Sequence, residues 1–390
     1  MRRYIGKLFE AFRKGDMILL LLCVVTTIFG CLMITSATSA NAAGPMRYLS
    51  IQIVAALLGV GAYVFFSSID TEFFFEHRRW LMFFNVFMLL LLVPFGTDLG
   101  SGNKSWLNFP FLPFDIQPAE VCKISFVLVM ASVMATRQNN ISSPMSVFLI
   151  CVQAAIVVVL NLVVSRDMGV TLIFVFITIG MIWVGGVSLV WFAAGAGLVV
   201  LAAPVAWEFV FSENQKNRIM VLLDPSLDAN GTGSLYHTIR ALRSLTGGGL
   251  TGQGLFQGNR TQTRGALFAQ HTDFIFAAIG EELGFIGCGV VLLLLLAIII
   301  RCIWVGNRST DYLRKMVCFG TASALIFQVI VNVGMCIGVM PVIGLTLPFI
   351  SYGGSSIITL YAMLGLVSGV YARPHATSHE RYIRPPLYHY

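Results

Sequence analysis

The stretch Gln270-His271-Thr272-Asp273-Phe274-Ile275-Phe276 sets one carboxylate between a long polar segment and an apolar run. A lone carboxylate at a membrane edge, beside a histidine and under a cationic loop, suits a general base that takes a proton from a hydroxyl. Cations in the preceding segment, Lys216, Arg218, Arg240, Arg243, Arg260 and Arg264, could hold a diphosphate leaving group. His271 reads as a proton donor, a phosphate contact or an ordinary loop residue. Burial would raise the pKa of Asp273 and nearby cations would lower it, so residue types alone leave its value open.

Ionisable groups at membrane depth are costly, which makes each one a functional candidate. Glu120 and Lys123 are three apart and share a helix face, either as a local ion pair or as substrate contacts. Asp167 follows Arg166 and is an interface anchor, half of a buried pair or a site residue. Glu281-Glu282 lies about two turns into the next apolar run, where internal pairing competes with substrate contact. Trp106 is a substrate contact or an interfacial aromatic. Lys104 stands beside it.

What must position these groups is membrane-embedded helix. Of the 390 residues, 57% are hydrophobic and 11% charged, far below the ~25% charged residues of soluble domains. Apolar runs of spanning length recur throughout, without strand-like alternation, so the fold class is all-α. About ten transmembrane helices are expected, near 17–36, 49–69, 80–95, 118–136, 145–164, 165–184, 189–210, 273–303, 317–340 and 355–370. Loops 96–117 and 211–272 are the polar interruptions. The chain divides into an arm (1–16), one membrane domain (17–372) and a tail (373–390).

The net charge of +7 is a topology signal, not a nucleic-acid signal. Cations of the arm, Arg78-Arg79, Arg137, the 301–315 segment and the tail fall on one face, which places both termini in the cytoplasm. The 211–272 loop is then extracytoplasmic, since long loops cross regardless of charge. It includes a helix-like stripe over Tyr236–Leu245 and a glycine-rich run, Gly247–Gly254. No strand precedes that run, so it reads as a flexible stretch or a re-entrant loop packed on the membrane, ahead of a nucleotide cradle. The eight cysteines all lie in apolar runs without a CxxC pair and read as small buried hydrophobes.

The segment 341–356, Pro-Val-Ile-Gly-Leu-Thr-Leu-Pro-Phe-Ile-Ser-Tyr-Gly-Gly-Ser-Ser, resembles the signature of the SEDS family (RodA, FtsW, SpoVE). So do His271–Phe276 with Glu281-Glu282-Leu283-Gly284, the Gly249-Leu250-x-Gly252-x-Gly254 run, and Gln117-Pro118-Ala119-Glu120 with Lys123. The resemblance covers about residues 15–372 and is slightly closer to the RodA type through Lys104–Leu107 with Phe109-Pro110. It implies a ten-span peptidoglycan glycosyltransferase of the bacterial cell membrane. Such an enzyme polymerises lipid II into β-1,4 glycan and releases undecaprenyl diphosphate.

The family's essential loop aspartate falls on Asp273, the expected base. Lys104, Trp106, Glu120, Lys123, Asp167, Arg218, His271 and Ser351 are the substrate-binding candidates. A class B penicillin-binding protein is the implied partner. No metal-ligand cluster is evident, although a divalent cation, magnesium or manganese, is compatible with the chemistry. The chain departs from the family pattern at Ala269, Ser105 and Thr346, and at Ser165-Arg166 before Asp167; Lys104 is the substitute cation for the arginine usual at 105. A polytopic chain with buried charge could also flip lipid II, or serve as a catalytically weak scaffold for a transpeptidase.

Overall fold

A computed structural model describes residues 14–41, 44–98, 104–110, 112–209, 211, 213–228, 235–267 and 269–375. Most of the basic arm (1–13) and of the tail (376–390) lie outside them. Among the described residues nine helices are long and apolar enough to cross a membrane, and Met168–Val184 is a shorter apolar one. These ten account for the ten expected runs, and the chain is a multi-pass membrane protein.

Helix α1 spans Met17–Ala37 and α2 Pro45–Ser68; the short α3 is Thr71–Glu76. The third span is α4 (Arg78–Leu90), continued after a break by α5 (Leu92–Phe95). Strand β1 (Gly96–Thr97) pairs antiparallel with β2 (Trp106–Leu107), and Leu107 bridges to Ile116. Then follow α6 (Pro118–Thr136), α7 (Pro144–Val164), α8 (Met168–Val184) and α9 (Leu189–Phe209). Two helices lie within the long loop, α10 (Glu213–Leu223) and α11 (Tyr236–Gly248), the latter on the stripe read at Tyr236–Leu245. The chain closes with α12 (Ile275–Arg308), α13 (Tyr312–Cys336) and α14 (Gly354–Ala372).

Side-chain caps set several starts. Asp16 accepts from Leu19 N at α1, Asp167 from Val170 N at α8, and Asp311 from Leu313 N at α13. Each carboxylate satisfies one of the orphan N–H groups of a first turn. The ninth expected span, 317–340, therefore shifts to Tyr312–Cys336: its first turn carries Arg314 and Lys315, which hydropathy counts against a span. At its far end Gly338 turns the chain at φ 79.

The larger correction concerns the eighth expected span. The run 273–303 is not one continuous helix. Gly284 (φ 66, ψ −165) breaks α12 into two pieces. A break frees backbone groups that lipid cannot satisfy. The glycine-rich loop takes them instead. Gln253 N and Gly254 N donate to the carbonyls of Glu281 and Glu282, while Phe285 N and Ile286 N donate to those of Gly249 and Leu250. The positive φ of Gly284 and the absence of a Cβ both matter, since one would lie 2.4 Å from Gly252 N.

Two apolar clusters fill the bundle. One is built mainly from α1, α2, α12 and α14, the other from α4, α6, α7, α8 and α13. Small residues allow the close approach of α2 and α14: a Cβ on Gly365 would meet Tyr63 O at 2.5 Å.

Candidate active site

The segment before α12 is a tight turn. Ala269 adopts φ 46, and its carbonyl accepts from both Thr272 N and Phe274 N. Three successive carbonyls are then clamped from outside. Tyr352 N donates to His271 O at 2.8 Å, Ser351 Oγ to Thr272 O at 2.6 Å and Asn332 Nδ2 to Asp273 O at 2.9 Å. Asn332 also donates to Leu345 O at 2.6 Å, tying α13 to the 341–353 segment. That segment is held at its end by Gln52, which donates to Ser351 O and accepts from Gly353 N.

The backbone of Asp273 is fixed, yet its side chain is not spent. Among the described residues none donates a hydrogen bond to its carboxylate, and the residue is half-buried. Gly344 leaves room beside it, since a Cβ there would come within 3.7 Å of Asp273 Oδ2. Burial and then the charge of Asp167 push the Asp273 carboxyl up to about 6.

Asp167 faces the same region from the start of α8. It accepts from Val170 N at 3.2 Å and from Gln117 Nε2 at 3.0 Å. Burial raises it to about 6 as well, against those hydrogen bonds, with Glu120 adding to the rise. Glu120 itself pairs with Lys123 at 2.7 Å, both buried in the first turn and a half of α6. Gly169 lets α8 close on the 341–353 segment, where a Cβ would lie 2.7 Å from Ile343 O. Four elements thus meet here: the 269–274 turn, the 341–353 segment and the starts of α6 and α8.

The remaining candidates lie around this cluster. Arg218, exposed on α10, donates to Val342 O at 2.7 Å, two residues from Gly344. The His271 ring packs edge-on against Tyr48 at 5.0 Å and tilts towards Tyr352 at 5.8 Å. Burial lowers its pKa, so the imidazole is neutral at neutral pH. Ser351 is buried, and its hydroxyl both donates to Thr272 O and accepts from Leu347 N. Trp106 is half-buried in β2, and Lys104 is exposed beside it. Ser105 Oγ donates to Ser165 O, bringing that hairpin to the Asp167 turn.

The family profile for FtsW, RodA and SpoVE, described as cell cycle protein, matches residues 16–375. The chain belongs to the FtsW/RodA/SpoVE family. It is 32% identical over 302 residues to the peptidoglycan glycosyltransferase MrdB of Escherichia coli (strain K12), covering 76% of this chain and 78% of that one. A probable peptidoglycan glycosyltransferase FtsW of Geobacter metallireducens is 30% identical over 93% of this chain and 96% of its own.

Two solved structures share the fold. One comes from work titled "Structural coordination of polymerization and crosslinking by a peptidoglycan synthase complex" (TM-score 0.74, 28% identity, 92% of this chain and 97% of that). The other is an aspartate-to-alanine variant of the rod shape determining protein RodA of Thermus thermophilus (TM-score 0.69, 26% identity, 93% and 99%). Both structural likenesses cover more than nine-tenths of this FtsW/RodA/SpoVE chain.

Some site residues escaped the sequence reading. Asn332 is the clearest, and its signal was present: an amide buried in the apolar run of α13 needs partners. Gln52 carries the same signal in α2. Glu281 and Glu282 resolve towards internal pairing. Glu281 accepts from Arg260 N, Thr261 N and Thr261 Oγ, and Glu282 from Ser36 Oγ, Gln262 Nε2 and Phe256 N. Among the described residues no three His, Cys, Asp or Glu gather as metal ligands.

Proposed function

We propose that this protein is a peptidoglycan glycosyltransferase that polymerises lipid II, with Asp273 as its general base. The observation that carries the reading is the clamped backbone of Asp273 beneath a carboxylate to which no group among the described residues donates. A base must be held still and left able to accept a proton.

Ionised Asp273 takes the proton from the 4-hydroxyl of the acceptor sugar. That oxygen forms the bond to the anomeric carbon of the donor, and the bond from this carbon to the diphosphate breaks. Undecaprenyl diphosphate leaves with the electron pair. A pKa near 6 lets most of the carboxyl ionise at pH 7 while keeping more basicity than an ordinary aspartate has. Arg218 and Lys104 are the cations assigned to the diphosphate. The Glu120–Lys123 pair, net neutral, offers the substrate polar contacts at the start of α6. Asp167 tunes Asp273 and meets the substrate beside it, and Trp106 offers a sugar a flat apolar face. Ser351 and His271 position the turn, their polar or ring contacts being taken by protein. A divalent cation, magnesium or manganese, would arrive with the diphosphate and neutralise its charge; Asp167 is a hard oxygen donor suited to it.

The reading places the protein in the bacterial cell membrane with both termini cytoplasmic. The arm (1–16) and tail (373–390) then flank one membrane domain (17–372), and loop 211–272 lies outside. The partner is a class B penicillin-binding protein, which crosslinks the strands made here. The purified pair is to be supplied with labelled lipid II and the products run on a gel. Polymer from wild type and none from Asp273→Ala is the expected result. Equal polymer from both would remove Asp273 as the base; no polymer from either, with full complementation of cells by Asp273→Ala, would favour a scaffold.

A further inference from the structure

The long loop carries a second polar feature, whose walls do not include Asp273. A cavity of about 500 Å³ opens among Arg240, Arg243, Gln253, Asn259, Arg260 and Glu281. This is within the ~300–1,000 Å³ range of ligand sites. Three cations face one carboxylate there, and that carboxylate is already occupied. Glu281 Oε1 accepts from Arg260 N at 2.9 Å, and Oε2 from Thr261 N at 2.9 Å and Thr261 Oγ at 2.6 Å. Arg240 is fixed, its Nη1 donating to Gly265 O and Ala266 O and its guanidinium lying over Tyr236. Among the described residues the guanidiniums of Arg243 and Arg260 make no hydrogen bond or ion pair. Two uncommitted forks facing one cavity call for an anion with several oxygens.

The same loop meets hydrocarbon. Between Gly247 and Gln253, both in the cavity wall, the chain presents Leu250 at 65% exposure, and just beyond it Phe256 at 43%. Gly249 O and Leu250 O accept from Phe285 N and Ile286 N, which begin the second piece of α12. Phe285 and Ile286 are themselves 73% and 54% exposed. Four outward apolar side chains at the start of a spanning segment mark the edge of the bilayer. Phe256 holds a left-handed backbone, φ 61, at a cost of about 1 kcal/mol, with its N–H anchored on Glu282. A cationic cavity and an apolar patch on one short loop match an amphiphile with a phosphate head.

We infer that this cavity binds the phosphate head of an anionic phospholipid. Arg243 and Arg260 grip its oxygens, Arg240 forms the fixed wall, and the hydrocarbon lies over Leu250, Phe256, Phe285 and Ile286. The source is an anionic phospholipid of the surrounding bilayer, apart from the diphosphate assigned above to Arg218 and Lys104.

The test is binding to the full chain in detergent, read by native mass spectrometry. The probes are phosphatidylglycerol, inorganic diphosphate and phosphatidylcholine. Wild type is expected to retain phosphatidylglycerol over phosphatidylcholine. Arg243→Gln/Arg260→Gln should weaken that binding at least tenfold, and Arg243→Lys/Arg260→Lys should restore part of it. Leu250→Ser/Phe256→Ser should weaken phosphatidylglycerol while leaving inorganic diphosphate unchanged. Asp273→Asn should bind as wild type does, which separates this site from the chemistry proposed above. Unchanged lipid binding by the Arg243→Gln/Arg260→Gln variant, with an unaltered thermal transition, overturns the proposal. So does wild type that retains no phosphatidylglycerol, or that holds inorganic diphosphate as tightly as phosphatidylglycerol. Should the double variant fail to fold, Arg243→Gln alone decides by the same criterion.

Discussion

At one end of the bundle Asp16 accepts from Leu19 N and pairs with Arg301 at 2.8 Å, while Arg314 bridges Asp70 and Asp311. Arg373 closes the same end on the carbonyls of Ser67 and Ile69. At the other end the Asp273 carboxylate receives no donor among the described residues, and Asp167 stands against it with one amide and one backbone N–H. Both ends place carboxylates at helix starts. The first surrounds them with guanidinium, so each negative charge lowers the energy of the fold. The second packs them among neutral and like-charged groups, so each negative charge raises it. Carboxylates of the first kind hold helices together; those of the second keep basicity for a substrate.

The contrast can be broken most severely at its reactive end. Asp273→Ala should lower polymerisation by about 10²- to 10⁴-fold, the usual worth of a general base, with the thermal transition retained. At the paired end, Asp16→Ala leaves Arg301 without its partner and should cost about 3 kcal/mol of stability. Turnover per folded molecule should stay near wild type, as thermal melts and normalised assays would establish. A large loss of turnover in Asp16→Ala would mean that the ends are coupled.

Asn332→Ala leaves Asp273 O and Leu345 O without their donor, at about 1–3 kcal/mol. Because it acts by positioning, kcat should fall about tenfold or more with KM little changed, and Asn332→Gln should not mend the geometry. The pH profile comes next. The base must be ionised, so with Asp273 at about 6 the rate should fall about tenfold per pH unit as pH drops below 6. Asp167→Asn removes a like charge and should move that limb to lower pH, whatever it does to the maximum. A limb that stays in place would deny the facing of the two carboxylates.

The smallest effect has the most telling sign. The folded-state pKa of Asp273 lies above its ordinary value of 3.8, so the stability it lends at low pH is lost as pH rises through 6. Asp273→Asn should therefore raise stability at pH 7.5 by about 1–2 kcal/mol, with solvent screening allowed for. Asp16→Asn should lower it. Two aspartates, one substitution and opposite signs would sharpen the comparison into a single measurement.

Much of this was legible residue by residue. The ten apolar runs, the helical stripe at Tyr236 and the carboxylate before α12 all follow from local pattern. The break at Gly284 did not, because hydropathy reads an apolar run as continuous whether or not its backbone bonds stay within it. The internal pairing of Glu281 and Glu282 was one of the two readings their position allowed, but its partners were hidden, since they are backbone and side-chain donors of the 256–262 loop and Ser36 of α1. Asn332 and Gln52 announced a need for partners without naming them.

The sequence alone determined that this is a helical membrane protein of about ten spans, because too few charged side chains exist to cover a water-facing surface. It also determined which motifs it carries, and so its likeness to one family. Tertiary structure alone decided which carboxylates are spent and which are held open. That depends on what faces each oxygen across the bundle, and such neighbours come from helices hundreds of residues apart.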